Sequence, residues 1–456
     1  MSLTTFLKLE LKNFLIGKAV VVAVLCLCLA GIYGMFYGKS VIDKQQSIIE
    51  KVPEFQARHT TKQIELNKAD LGNLLYYHQF STIHQPSGWA AFSIGQRDVN
   101  PFNVKVTMLT LEGQLYDSEI SNPKNLLYGN LDLAFVVIFL FPLLIIAFCH
   151  NLISAEQENG VWNLLRSQPV SIGKIIAWRL LIRFVTVLLT AFGLIAASCF
   201  YFTSPFDLRF VYALLIASAY LSFWFALTAA VISLQKSSVF NALSLLGVWL
   251  CLTILAPALL NLAISTALPV SESFELTVKQ REGYHQKWDQ AKAATMSKFY
   301  VKYPQFKDIP IPEDKFSWGW YYAAQLMGDL ESGDATQNYL KKLRLRDDWT
   351  KKIALILPTV NTQLAFNRLS QNDLQSHLEY LESVRQHHTS IREHFYPFIF
   401  RNAKVEEIDW QRVPKHELDV EQKIETSPVF ILTTIGLAAV FLIVAGQRLK
   451  RLQNFE

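Results

Sequence analysis

The sequence has few charged residues and few cysteines for its length. Asp, Glu, Lys and Arg make up only 18% of the 456 residues, whereas hydrophobic residues make up 51%. This balance excludes a purely soluble protein. All five cysteines lie inside apolar runs, so we expect neither a disulfide framework nor a cysteine zinc site. The net charge of +5 is too small to predict nucleic-acid binding, and it fits basic residues at a membrane surface.

The motifs of nucleotide hydrolysis and of common hydrolases are also missing. The chain contains no GxxxxGK[ST], no HExxH and no GxSxG, so it is not expected to bind ATP through a phosphate loop or to be a zinc protease or an α/β-hydrolase. His377, His387, His388 and His394 leave a metal site open as an alternative, although we favour solvated helix residues. No catalytic residue, cofactor or metal ligand is predicted in this chain.

The sequence does contain six apolar segments of membrane-spanning length. A helix needs about 20 apolar residues to cross a hydrocarbon core about 30 Å thick. Because backbone groups in lipid must bond internally, we expect all six to be helices, with kinks at Pro142 and Pro257. The segments are residues 18–38, 131–153, 175–203, 207–234, 239–267 and 428–447.

Basic residues in the short flanks of these segments predict the orientation of the chain. Six crossings place all of them on one side, which the positive-inside rule assigns to the cytoplasm of a bacterial inner membrane. Both termini, including the tail 448–456, and the loop 154–174 are then cytoplasmic. The basic residues are Lys8, Lys12, Lys18, Arg166, Lys174, Arg179, Lys236, Arg448, Lys450 and Arg451.

Two long polar insertions, 39–130 and 268–427, are expected on the outer side. We predict that both are mainly helical with minor β structure. The first reads as a long helix over 40–75, broken at Pro53, followed by a short β-like run. The second shows helical periodicity over 272–300, 319–346, 350–368 and 371–394. The predicted fold is therefore an all-α membrane protein.

Residues 1–17 have apolar side chains at helical spacing with Lys8 and Lys12 between them. This pattern favours an amphipathic helix that lies along the inner membrane surface. An extension of the first span is the alternative.

The most polar turn between two spans is SAEQENGVWNLLRSQPVS, residues 154–171. Ser154 can cap a short helix, Glu156 and Glu158 suit its positive end, and Gly160 lets another backbone approach. Arg166 adds a charge, Pro169 ends the helix and Ser171 can cap the next one. An apolar face suited to a partner's groove is formed by Val161, Trp162, Leu164 and Leu165. The residues alone fit either a contact surface for another protein or an ordinary interfacial helix.

The stretch NLISAEQENGVWNLLRSQPVSIGKIIAWRLL, residues 151–181, resembles the cytoplasmic signature of ABC-type exporter permeases of the type-2 membrane family. That signature is roughly E-x-E-x-G-(x)-L-(x)-P-x-S, followed by a basic residue and the next span. The matching positions are Glu156, Glu158, Gly160, Leu164, Leu165, Pro169 and Ser171. Segments 88–106, 122–154 and 357–381 resemble a branch with large extracytoplasmic insertions after the first and fifth spans, although Leu369, Ser370 and Gln371 replace its usual small-residue turn.

The resemblance implies that residues 154–171 are a coupling helix that sits on an ATPase subunit. It implies two ATPase subunits, which would bind ATP and Mg, and a second permease, identical or homologous. Three functions stay open: an exporter of unknown cargo, an ABC-type machine that transmits force to periplasmic or outer-membrane proteins without moving cargo, and a membrane enzyme or sensor. A membrane enzyme or sensor would need a catalytic group, and the sequence contains no recognisable one.

Overall fold

The protein is an all-α membrane protein with six helices long and apolar enough to cross a membrane. The computed structural model describes residues 3–116, 130–167, 171–270, 288–417 and 428–451. It is 74% helical, and among the described residues its strands are confined to one two-stranded sheet. The predicted fold class is therefore confirmed.

The spans follow the apolar runs of the sequence closely. The first is α2 (Lys18–Ile49), which continues beyond residue 38 into the first insertion, and α1 (Leu3–Ile16) precedes it. Two spans are interrupted by π-helical turns. The second comprises α6 (Leu133–Phe135), a π turn (Val136–Leu140) and α7 (Phe141–Cys149). The fifth comprises α12 (Ser238–Leu250), a π turn (Cys251–Leu255) and α13 (Ala256–Ala267).

The remaining spans are single helices. Two short helices, α8 (Ser154–Glu158) and α9 (Trp162–Arg166), connect the second span to the third. We call the side of the bundle that carries these helices the loop face, and the opposite side the insertion face. The third, fourth and sixth spans are α10 (Ile172–Phe202), α11 (Leu208–Ile232) and α19 (Val429–Arg451).

Both π turns precede the prolines for which the sequence predicts kinks. Pro142 has no N–H to offer the carbonyl of Ile138 four residues earlier. The hydroxyl of Tyr220, in the fourth span, donates to that carbonyl at 2.8 Å. The indole of Trp249, in the fifth span, donates to the next carbonyl, that of Phe139, at 3.1 Å. A side chain of the fourth span thus satisfies a backbone group that lipid could not satisfy, and the fifth span adds a second contact beside it.

The two insertions fold together on the insertion face. The first contributes α3 (Val52–Leu66), α4 (Leu71–Tyr77), β1 (Phe80–Ile83), β2 (Asn103–Val106) and α5 (Leu111–Tyr116). The strands are antiparallel, with Phe80 opposite Val106 and Ile83 opposite Asn103. The second contributes α14 (Lys292–Lys302), α15 (Trp318–Glu331), α16 (Gly333–Ala354), α17 (Pro358–Leu369) and α18 (Leu374–Phe400).

One hydrophobic core joins both insertions. Leu74 and Val106 of the first pack in the same cluster as Phe299, Tyr322 and Phe395 of the second. Polar contacts cross the same boundary, because Arg385 pairs with Glu112 at 2.7 Å and Tyr380 accepts a hydrogen bond from Val104 N at 3.0 Å. Two stretches separated by more than a hundred residues therefore form one domain.

Helix α17 packs into the span bundle as well as into the insertions. Phe366 is fully buried with the span core and contacts Phe92 at 5.1 Å between ring centroids. The amide of Asn361 donates to Phe430 O at 2.9 Å and to Thr434 Oγ1 at 3.0 Å, and both acceptors lie in the sixth span. Helix α17 therefore links the second insertion directly to the sixth span.

Helix boundaries in the second insertion differ from the periodicity-based expectation. The helix predicted over 319–346 breaks at Ser332, whose hydroxyl donates to Asp329 O at 3.0 Å and competes with the backbone. The helix predicted over 350–368 cannot run through Pro358, so α17 begins there. Asp373 caps α18, which starts at Leu374 rather than at 371. Of the helix predicted over 272–300, residues 272–287 lie outside the described residues.

The expectation of solvated histidines in α18 is wrong. His387 and His388 are buried, and Nε2 of His388 lies 2.8 Å from Thr107 O. Burial lowers the pKa of His377 and His387 to about 4, so both are neutral near pH 7. Within the described parts of the chain, no group of three His, Cys, Asp or Glu side chains is arranged to hold a metal ion.

We expect Tyr220→Phe to destabilise the span bundle by about 0.5 to 2 kcal/mol, because the carbonyl of Ile138 would then be buried without a donor. Thermal unfolding of the full chain in detergent measures the change. Tyr212→Phe is the matched control, since Tyr212 lies on the same helix and its hydroxyl makes no hydrogen bond to another described residue. Equal midpoints for the two variants would contradict the assigned role of the Tyr220 hydroxyl.

Candidate functional site

The candidate site is the pair of short helices α8 and α9 on the loop face. Gly160 joins them with a backbone φ of +74°, in the left-handed region that glycine adopts at little cost. No atom of the chain lies within 4 Å of the position that a Cβ would take there. Conformation, rather than close approach of another part of this chain, therefore explains the glycine.

Glu158 fastens the end of α8 to the start of the fifth span. Its two carboxylate oxygens accept from Ser238 N at 2.7 Å and from Ser238 Oγ at 2.8 Å. This places an anion at the N-terminus of a long helix, where the exposed N–H groups and the helix dipole favour it. Ser154 does not cap α8 as predicted, because its hydroxyl lies 2.7 Å from Ser238 Oγ and Ile153 occupies the N-cap position.

Further polar contacts join the second and fifth spans along their length. The amide of Asn241 donates to His150 O at 3.0 Å, one turn beyond Ser238. The Trp249 indole bond to Phe139 O lies deeper in the bundle. We call this set, together with the Ser154, Glu158 and Ser238 contacts, the polar seam. It holds two antiparallel spans together from the loop face to the π turn.

Glu156 points to the third span instead. It pairs with Arg179 at 2.8 Å, and Arg179 also lies 3.3 Å from Glu10 of α1. Arg183, one turn further along α10, lies 3.8 Å from Glu10 and stacks on the ring of Phe14 at 4.8 Å. These side chains are between 13% and 24% exposed, so water screens them only partly. The four charges connect α1, α8 and the third span.

Helix α9 has one packed and one exposed side. Trp162 and Leu165 are partly buried against the span core. Leu164 is 64% exposed and Val161 is 38% exposed, which leaves an apolar surface on the loop face. The predicted four-residue apolar face is therefore divided between the protein's own core and solvent.

The structure brings most of the predicted site residues together. Glu156, Glu158, Gly160, Trp162, Leu164 and Leu165 lie on α8, α9 and the turn between them. Arg166 ends α9, and Pro169 lies outside the described residues. Ser171 occupies the N-cap position of α10. Both glutamates contact other helices of this chain.

Sequence reasoning missed the partners of these glutamates. Arg179 and Ser238 lie 23 and 80 residues from Glu156 and Glu158, so no local pattern connects them. A weak signal existed, since Arg179 and Arg183 stand one turn apart near the end of a span, where a charge needs a partner. Glu10, the only acidic residue of the predicted amphipathic helix, was a second such signal.

The second insertion resembles a known protein family. A family model described as a domain of unknown function (DUF3526) matches residues 274–419, which fall in the second insertion. No curated protein and no solved structure matches the chain. The similarity concerns the insertion face and does not extend to α8 and α9.

We expect Arg179→Gln to loosen both α1 and α8, because it leaves Glu10 and Glu156 without their shared cation. The cost should be about 1 to 3 kcal/mol of local stability. Hydrogen exchange over residues 3–16 and 154–167 measures it, with faster exchange expected in both segments. Lys174→Gln removes the same charge from an exposed position on the same helix and should leave both segments unchanged. Equal exchange in the two variants would refute the linkage.

Proposed function

We propose that the chain is the permease subunit of an ATP-driven exporter of the ABC type, in which a separate ATPase hydrolyses ATP. The observation that carries the proposal is the construction of the loop face. An exposed apolar residue, Leu164, stands on a short helix whose neighbour α8 is fastened to the third and fifth spans. Such a helix suits a surface that receives a push and passes it on.

Movement of the ATPase would act first on α9. Leu164 and Val161 would lie in an apolar groove of the ATPase, and Trp162 and Leu165 would keep α9 against the bundle. From there, Glu158 and Ser238 would pass the movement to the fifth span, and Glu156 and Arg179 to the third. Closure of two ATPase subunits would thus favour one of two arrangements of the spans, as a bound partner favours the state it binds better.

The proposed transporter contains four subunits. Two ATPase subunits, each with ATP and Mg, would face two permeases, which are two copies of this chain or this chain with a homologue. We infer that the loop face is cytoplasmic in a bacterial inner membrane, because its short loops and the flanks of the spans carry the basic residues. The insertion domain would then lie outside that membrane.

The packing of the insertion domain supports a second function, transmission of force across the membrane. The two insertions share one core, and α17 ties this domain to the span bundle through Asn361 and Phe366. A domain held in this way could pass movement of the spans to periplasmic or outer-membrane proteins without moving cargo. ATP-dependent cargo flux in reconstituted vesicles would favour the exporter, and ATP-dependent recruitment of such a protein without flux would favour force transmission.

We expect Leu164→Glu to weaken association with the ATPase at least about tenfold, because it places a charge in the centre of an apolar contact. Co-purification and titration with a candidate ABC ATPase, expressed together with this chain, measure the association. Leu234→Glu is the matched control. Leu234 is also an exposed leucine on the loop face, at 38%, but it lies in the link between the fourth and fifth spans.

The two variants should be equally stable, since both side chains already face solvent. Full binding by Leu164→Glu, or equal loss in both variants, would contradict the assignment of α9 as the contact.

A further inference from the structure

A cavity of about 320 Å³ opens on the insertion face where α16, α17 and the start of α18 meet the sixth span. Its apolar wall includes Leu364 of α17 and Phe430, the second residue of the sixth span. Its volume falls within the range that holds small molecules and headgroups in other proteins, about 300 to 1,000 Å³. It is separate from α8 and α9, which lie at the other end of the bundle.

The polar wall of the cavity carries two cations and two anions. Lys351 pairs with Asp347 one turn earlier on α16, and Arg368 pairs with Asp373 at 3.3 Å. The four charges sum to zero, and each cation stands beside an anion. Lys351 is the most accessible of the four, with 36% of its side chain exposed. A ligand that carries one charge of each sign matches this wall better than a simple anion or cation.

The cavity lies beside the start of the sixth span, a position that suits the edge of a hydrocarbon layer. The sixth span begins at Val429, so Phe430 lies in its first turn. Trp349 on α16 is 49% exposed and Ile356, just beyond that helix, is 69% exposed. An exposed Trp beside a span is typical of the interface between lipid and water, at headgroup depth, and an exposed Ile suits contact with apolar lipid. Polar and apolar walls therefore meet at the level of lipid headgroups.

We propose that this cavity binds the headgroup of a zwitterionic phospholipid from the leaflet on the insertion face. The phosphate would lie near Lys351 and Arg368, and the ammonium group near Asp347 and Asp373. The acyl chains would leave over Leu364 and Phe430. This inference goes beyond the proposed coupling to an ATPase and does not depend on it.

The test is equilibrium binding of dihexanoyl-phosphatidylethanolamine, below its micellar concentration, to the purified full chain in detergent. We expect saturable binding that Lys351→Gln weakens about three- to tenfold, through loss of one charged contact to the phosphate. Leu364→Trp, which fills the cavity, should reduce binding further. Lys352→Gln is the matched control, because Lys352 is the exposed neighbour of Lys351 and does not line the cavity.

Three other results would overturn the proposal. One is binding that Lys351→Gln and Lys352→Gln affect equally. Another is equal or tighter binding of dihexanoyl-phosphatidylglycerol, which would identify a site for anions. The third is equal binding of free phosphoethanolamine, which would mean that the site takes a soluble zwitterion rather than a lipid. Because Lys351 is partly exposed, its variant folds even if Leu364→Trp does not, so the comparison with Lys352→Gln decides the question.

Discussion

The polar seam between the second and fifth spans is the contact on which the rest of the bundle depends. In lipid, a backbone carbonyl without a donor costs more than it does in water, and Pro142 creates such a carbonyl inside the second span. Tyr220 of the fourth span donates to this carbonyl, and Trp249 of the fifth span donates to the next one. At the loop face, Ser238 and Asn241 continue the same connection to Glu158 and His150. We infer from these contacts that the second and fifth spans move as one unit.

This unit explains the placement of charge at the loop face. The two glutamates of α8 bind other helices of the chain. Glu158 binds the N-terminus of the fifth span, and Glu156 binds Arg179 of the third. The surface left to a partner is apolar and small, and it centres on Leu164. At the opposite end, α17 connects the insertion domain to the fourth and sixth spans, so movement of the spans has a route to both faces.

Much of the fold could be predicted because lipid imposes a simple rule. Long apolar runs must be helices, and the six predicted segments correspond to six observed helical spans. Within the second insertion, periodicity found the helices but not their ends, since Ser332 and Pro358 break them for local reasons. The shared core of the two insertions could not be predicted, because no local pattern links Val106 to Phe395.

The position of the candidate site could be predicted from the sequence, but the contacts of its side chains could not. Sequence pattern located α8, α9 and Gly160, since a polar turn with a glycine stands out between apolar spans. The sequence pattern did not show which side chains contact other helices of the chain. It also predicted that His388, which is buried, would be exposed to solvent. Burial and pairing across long separations depend on the three-dimensional packing, which short-range spacing does not encode.

The most direct test of the central claim is a pair of spin-label distances in the complex with the ATPase, measured with and without a nonhydrolysable ATP analogue. One pair joins Asn159, beside α8, to Leu243 of the fifth span, and the other joins Asn159 to Leu442 of the sixth. All three side chains are exposed. We predict that the first distance stays constant while the second changes. A change in the first as large as that in the second would show that the polar seam does not move as one body.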